Sequence, residues 1–519
     1  MQRRMGLRWA AAAALGMGGG ALGGAGRVLA ATAGSAGAAG AADPASAATA
    51  SADAASLPRL ADADLAFARQ LRTAGLADTR ALALVQRLTR QVGARPAGST
   101  ADARAVAWAL AEARALGLPR VWQQPVPLRV WQRGPAQATL LAPERRALVV
   151  AALGNSVGTP SGGLEAELAW YPDFQALKDD RSERARGRIV FIDQRMDRSR
   201  DGSGYGRAVP ARFGSAAEAA RRGALAVVIR SIGTSGANPA LPGEPDRVAH
   251  TGAMRYDDDA AQIPALAVSV ADAEHLAALQ AAGQPLRLAL QVANQVGVEA
   301  LSHNVLAELP GQGALAGEVV LLGAHLDSWD VGEGAVDDGA GVGIVLAALG
   351  LIAERLRAAP AELAQAPRRS LRVALYANEE NGFDGALAYS RAHGSEPHQW
   401  VSESDFGAGP AYAWRHRVRP EALPVMAQIA AELAPLGLPL GAGNDATPGP
   451  DAAVLMRRHR WPAVQLHQDG SRYFDVHHTP HDTLARLDAS ALPQNVAAWA
   501  VLAWLAARAP VAFGPLPAR

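Results

Sequence analysis

The sequence predicts an α/β protein in which a mixed, mostly parallel central sheet is flanked by helices and interrupted by an inserted β-rich domain. Three observations carry this expectation. Beyond Val298, short apolar runs alternate with helical segments, as in sheets covered by helices. Between about Asn155 and Gln291, strand-like runs such as "GRIVFIDQR" and "GALAVVIRS" dominate, with a helical "SAAEAARRGA" among them. The 519 residues, 49% of them hydrophobic, are enough for two or three separate cores.

Residues 1–33 read as a bacterial export signal: a basic start, a weakly apolar middle and small residues near Ala30 to Ala33. Arg3 and Arg4 fit the twin-arginine route. Glycines and Arg27 break the apolar run well short of the ~20 residues a span needs, so no stable membrane span is expected after cleavage. The mature protein is then periplasmic or secreted. Residues 34–56, rich in Ala, Ser and Gly, read as a linker.

Residues 57–154 form the first part of the main domain, with two helices broken by "GARPAGS" and then strands edged by prolines. Residues 155–291 are the insert, and 292–519 the second part of the main domain. In that part, strands are expected at Asn304 to Leu309, Glu318 to Ala324, Ser370 to Ala377, Trp400 to Ser404 and Ala463 to His467. Helices are expected near Asp338 to Leu356, Gly385 to His393, Pro420 to Ala434, Asp451 to His459 and Ala489 to Ala507.

A formal net charge of +1 argues against nucleic acid or an anionic membrane as partner. The chain has no cysteine, which excludes thiol nucleophiles, disulfides and thiolate metal sites. Lys178 is the only lysine, so a P-loop or Schiff-base lysine elsewhere is excluded. A metal would have to be held by His, Asp and Glu.

Such residues gather where strands end. "HLDSWDVGEGAVDDGAG", residues 325 to 341, sets His325 and five acids directly behind an apolar strand. Glu379 and Glu380 follow the next strand, Asp405 another, and His477 and His478 come after the last. Ligands bind beyond the carboxyl ends of strands in open α/β sheets, so these residues converge if the strand assignment holds. Oxygen and nitrogen donors in this number suit two divalent ions, with zinc fitting best and one carboxylate shared. Taken singly, each has a plainer role: Asp337 or Asp338 as a helix cap, the Glu pair as a solvated turn, the His pair as surface. Their joint occurrence at consecutive strand ends favours the metal.

Two other motifs fail on context. "GNSVG" would make Ser156 a hydrolase nucleophile, but "TPSGG" follows where a helix is needed. "GAGVG" lacks the spacing of a nucleotide loop.

The motifs "GAHLDSWDVGEGAVDDGAG", "LYANEENGFDGALAY", "SESDFG" and "FDVHHTPHDT", in that order, resemble the co-catalytic di-zinc exopeptidases. That family includes leucyl-type aminopeptidases and glutamate carboxypeptidases, and the resemblance is strongest to its carboxypeptidase Q type. It covers about Ala61 to Ala507 and implies the zinc exopeptidase fold, with an insert similar to a protease-associated domain. It further implies two zinc ions per chain: His325 and Asp405 on one, Glu380 and His478 on the other, Asp337 bridging. Glu379 would be the general base, and Asp327 would orient His325. Tyr473 is a candidate oxyanion donor, or simply a core aromatic. Peptides or dipeptides are the implied substrates, and a homodimer is compatible with the resemblance. Glu403, Asp384 and Asp445 are candidates to hold a substrate ammonium, or else solvent-facing acids. Two readings compete: a zinc acyltransferase resembling glutaminyl cyclases, and a non-catalytic binding protein on the same fold.

Overall fold

The computed structural model describes residues 57–234, 246–359 and 366–517, so the expected export signal and linker lie outside the described residues. Helices α1 (Asp62–Leu76), α2 (Arg80–Gln91) and α3 (Thr100–Ala115) lead into strand β1 (Arg120–Gln132). A second layer follows: β2 (Ala136–Ala142), β3 (Arg146–Leu148), β4 (Val150–Ala152), β5 (Leu164–Tyr171), α4 (Phe174–Asp179), β6 (Ile189–Ile192), α5 (Ser203–Arg221), β7 (Ala226–Arg230), β8 (Ala265–Val268), α6 (Val270–Ala281) and β9 (Arg287–Val292). The chain returns through β10 (Gln295–Leu309) to β11 (Val319–His325), α7 (Ala340–Ala358), β12 (Ser370–Tyr376), α8 (Asp384–His393) and β13 (His398–Glu403). It closes with β14 (Ala411–Arg417), α9 (Leu423–Leu433), α10 (Pro450–His459), β15 (Ala463–Gln468) and α11 (Leu492–Arg508).

The main sheet runs β1-β10-β12-β11-β13-β15-β14. Its four strands β12, β11, β13 and β15 are parallel, with antiparallel pairs on both sides. Every residue of β11, β12 and β13 is buried, which is why β11 and most of β12 read as apolar runs rather than alternations, while β13 also buries His398, Gln399, Ser402 and Glu403. Helix α7 is apolar all round because it is enclosed by α1, α2 and α11 on one face of the sheet. It is long and apolar enough to cross a membrane, yet Ala340 to Ala353 lie buried inside this core. The opposite face packs on α8 and α10.

The five strands and the helices expected after Val298 are all present. The edge strand β14 was not anticipated, because its "AYAWRHR" places two arginines among the residues that alternate toward solvent. The second sheet, β3-β2-β9-β5-β6-β7-β8-β4, takes in strands from Ala136 onward. Strands β2 and β4, which precede Asn155, pair with β9 and β8. Alternating patterns look alike in both sheets, so composition carries no mark where the chain passes from one to the other.

Asp102, 2% exposed in the first turn of α3, accepts a hydrogen bond from Gly98 N at 2.9 Å. Burial outweighs this bond and pushes its pKa up to about 6. The folded chain therefore binds this proton more tightly than the unfolded chain, whose carboxyl titrates near 4. The contribution to stability is most favourable below about pH 4 and is lost as pH rises to about 6. Asp102→Asn keeps an acceptor for Gly98 and removes the charge. Urea unfolding is expected to show equal stability near pH 4 and a gain on the order of 2 kcal/mol for the variant at pH 8.

Candidate metal centre

Strand β11 lies between β12 and β13, so its terminal His325 stands beside the residues that follow its two neighbours. Glu379 and Glu380 come just after β12 and Asp405 just after β13. Asp337 sits in the turn before α7, whose first residues have non-helical backbone angles. His478 follows a short helical turn at Tyr473–Asp475, beyond β15. The expected ligand residues are thus brought together from five chain segments.

Asp337 is the centre of the arrangement. Its Oδ1 lies 3.1 Å from His325 Nε2, which is itself 3.6 Å from Asp405. Its Oδ2 lies 3.3 Å from His478 Nε2, which is 3.1 Å from Glu380. One carboxylate therefore faces two separate donor pairs. Both Asp337 Oδ2 and Glu380 Oε1 are buried without a hydrogen-bond donor. Unpaired buried carboxylate oxygens are costly unless a cation meets them. A hard or borderline divalent ion fits both the donor chemistry and these orphaned atoms.

Three further acids hold the ligand backbone. Asp327 accepts from the amides of Glu379 and Glu380 at 3.1 and 3.4 Å. Asp338 accepts from His325 N and Gly341 N at 3.1 and 2.9 Å, so the helix-capping role falls to the second member of the doublet. Asp482 accepts from Val336 N and Asp337 N at 2.7 and 3.1 Å. Beneath them Arg95, fully buried, donates to the carbonyls of Leu326, Glu333 and Gly334 and braces the loop between β11 and α7. Of the other acids in that loop, Asp330 pairs with Arg133 and Glu333 accepts from Leu484 N.

The second layer completes the site. His478 has a left-handed backbone (φ 61°), strained for a residue other than glycine. Thr251 holds it twice: Thr251 N donates to His478 O at 3.0 Å, and Thr251 O lies 3.3 Å from His478 Nδ1. Next to it, His250 Nδ1 lies 2.8 Å from His477 O. Spacing gave His250 no partner, and a contact through a main-chain carbonyl leaves no side-chain signature at all.

Some expectations change. His325 Nδ1 is oriented by the backbone carbonyl of Asp327 at 3.1 Å, while the Asp327 carboxylate is 3.8 Å away and engaged by the glutamate amides. Glu403 is buried and accepts from Ala452 N at the start of α10, Asp384 accepts from Asn378, and Asp445 pairs with Arg415. Ser156 is fully buried in a loop, its Oγ accepting from Asn294, which rules out a nucleophile elbow.

Burial raises Asp337, but the imidazoles of His325 and His478 beside its two oxygens outweigh it and hold the carboxylate well below its usual range. For His325 burial acts downward, and Asp337 and Asp405 overcome it, so the imidazole is held well above its ordinary value. Glu379 is pushed well above the carboxylate range by burial and by Asp405, Glu380 and Asp337. Burial likewise raises Asp482 to about 7.

Asp482→Asn leaves one acceptor for two amides. We expect zinc retention against a competing chelator to fall about 10- to 100-fold, with turnover per bound metal less affected; equal retention would show that the Val336-Asp337 backbone needs no such support.

The family model for peptidase family M28 matches residues 304–503, the span that contains every expected ligand. Carboxypeptidase Q of Xenopus laevis is 32% identical over 439 residues, 83% of this chain and 87% of that protein. The crystal structure of a peptidase M28 precursor from Shewanella amazonensis SB2B is 42% identical, with a TM-score of 0.82 over 88% of this chain and 100% of that one. A zinc aminopeptidase from Bacillus subtilis shares the fold at 18% identity, with a TM-score of 0.56 over 82% of this chain and 94% of that one. Identity at this level over most of both chains, together with the convergent strand-end residues, establishes that the chain belongs to peptidase family M28 and is a metallopeptidase.

Proposed function

We propose that this protein is a di-zinc exopeptidase that acts on dipeptides or short peptides with a free amino end, in the periplasm or outside the cell. The observation that carries the reading is Asp337, whose two oxygens face His325 with Asp405 on one side and His478 with Glu380 on the other. Two ions sharing one carboxylate need that arrangement. The similarity to a carboxypeptidase and to a zinc aminopeptidase supports an exopeptidase and zinc as the metal. The export signal read from residues 1–33 supports the location.

Bound zinc would supply an acidified water and polarise the scissile carbonyl. Glu379 takes a proton from the attacking water and returns it to the leaving amine. Burial and the neighbouring carboxylates raise its proton affinity, which suits it to hold the proton between the two transfers. Asp327 fixes the backbone of Glu379 and Glu380 together, so general base and ligand keep a constant separation. Tyr473 is kept protonated by burial and by the neighbouring carboxylates Asp337 and Asp405, and its hydroxyl is a donor for the developing oxyanion.

Glu379→Gln is expected to keep about two zinc ions per chain and to lose at least about 10²-fold in kcat on free dipeptides. N-blocked dipeptides should resist the wild type. Metal bound at full content with no cleavage of any peptide by wild type would overturn the reading. Tyr473→Phe should lower kcat about 100-fold with KM little changed; undiminished kcat would reduce Tyr473 to a packing residue.

A further inference from the structure

The chain passes from the main sheet to the second layer between β1 and β2, at Arg133 to Pro135, and returns between β9 and β10. The two crossings touch: a Cβ on Gly134 would lie 1.9 Å from Ala293 O, so a side chain there would force them apart. Arg133 stands at this crossing with its side chain 14% exposed, and its guanidinium reaches both layers. Toward the main domain, Nε lies 2.9 Å from each oxygen of Asp330, in the loop between β11 and α7. Toward the second layer, Nη1 donates to Ala152 O, at the end of β4, at 2.6 Å, and Nη2 to Thr251 Oγ1 at 3.0 Å. The Thr251 hydroxyl donates to the same Ala152 O at 2.7 Å, which closes a triangle.

The aromatic packing joins the same two layers. Trp329, the neighbour of Asp330, is 5% exposed and packs into the core of the second sheet. A Cβ on Gly154 would lie 2.3 Å from its Cη2, and Trp131 meets it edge-on at 6.2 Å. The Arg133 head lies 4.8 Å from the Trp131 ring and 5.6 Å from that of Trp329, which in turn lies 5.5 Å from the His478 ring. An ion pair as open as this one, with the Asp330 side chain 30% exposed, adds little to stability. Its effect is on direction. A planar head with fixed donors, held by Asp330 at one end, meets Ala152 O and Thr251 Oγ1 together in one orientation.

Thr251 holds the left-handed backbone of His478 twice. His478 comes from a segment of its own beyond β15, whereas Asp337 ends the loop that carries Asp330. An ion gripped by both tolerates departures of only about 0.2 Å in its ligand distances. We propose that Arg133 is the positioning residue that fixes one segment against the other: anchored on Asp330, it seats Thr251, and Thr251 seats His478 for the ion shared with Asp337 and Glu380. The inference rests on the two-ion reading above and adds to it a link that runs from one ligand segment to the other through the second layer.

Chelator titration of the zinc-loaded enzyme tests the link, with His478→Gln marking the release phase that belongs to the ion on His478. Arg133→Met should weaken retention of that ion about tenfold and leave the ion on His325 and Asp405 within about threefold. Thr251→Val removes the hydroxyl but not the backbone contacts with His478 and should act in the same direction. The double variant should lose no more than the larger single loss, because both changes cut one chain of contacts. Arg133→Lys keeps a charge for Asp330 without the fork and should recover only part of the retention. Equal weakening of both ions, unchanged retention, or additive losses in the double variant overturn the proposal. Exchange of the Thr251 amide, which donates to His478 O, reads the link without counting ions. Arg133→Met should speed it about tenfold and leave the Leu326 amide, bonded to Tyr376 O, unaffected; equal exchange at Thr251 overturns the proposal. A wild type that binds a single ion, with that difference in exchange present, overturns only the two-ion reading. If Arg133→Met does not fold, Thr251→Val and Asp330→Asn decide by the same ratio of the two retentions.

Discussion

Five carboxylates, Asp327, Asp337, Asp338, Glu380 and Asp482, lie no more than 5% exposed at one edge of the main sheet, and disposing of their charge is the constraint on which the site depends. They divide into two kinds. Asp327, Asp338 and Asp482 each accept two backbone amides, and the amides belong to His325, Asp337, Glu379 and Glu380 or their neighbours. Asp337 and Glu380 retain oxygens with no donor. The first kind spends its charge on fixing the backbone that carries the second, and only the second is left with something for a cation to do. Without an ion, His325 holds a proton against Asp337, so metal and proton compete for one place.

This division also explains the loop between β11 and α7. A chain segment with so many acids would be expelled into water if each were isolated. Here Arg95 gathers its carbonyls from below, and α7 begins at Gly341 N with the Asp338 carboxylate as its cap. A long apolar helix therefore starts within a polar nest. Burial of α7 on all sides fixes the nest's position, and the nest in return determines where α7 begins.

Strands β11 and β12 were legible because burial on both faces leaves mostly apolar residues, and the strand ends were legible because acids and histidines break those runs abruptly. Residues after β11, β12 and β13 could be placed together from that alone. What could not be read falls into two classes. Asp327 acts on His325 through its carbonyl, and Thr251 acts on His478 through its backbone, and neither depends on the side chain that a sequence displays. Asp482 acts by its side chain, but it accepts from Val336 N and Asp337 N across 146 and 145 residues, and a contact at that separation leaves no local pattern. Strand β14 was hidden for a simpler reason, since arginines on an edge strand look like loop residues.

The centre is thus built by two layers that share the work unequally. The main sheet supplies every atom able to hold metal, and its geometry follows from adjacent parallel strands ending together. Among the described residues the second layer supplies no ligand atom, yet its Thr251 holds the strained backbone of His478. A residue in a left-handed conformation keeps it only while its partners stay in place, so orientation of that ligand is tied to the seating of the second layer.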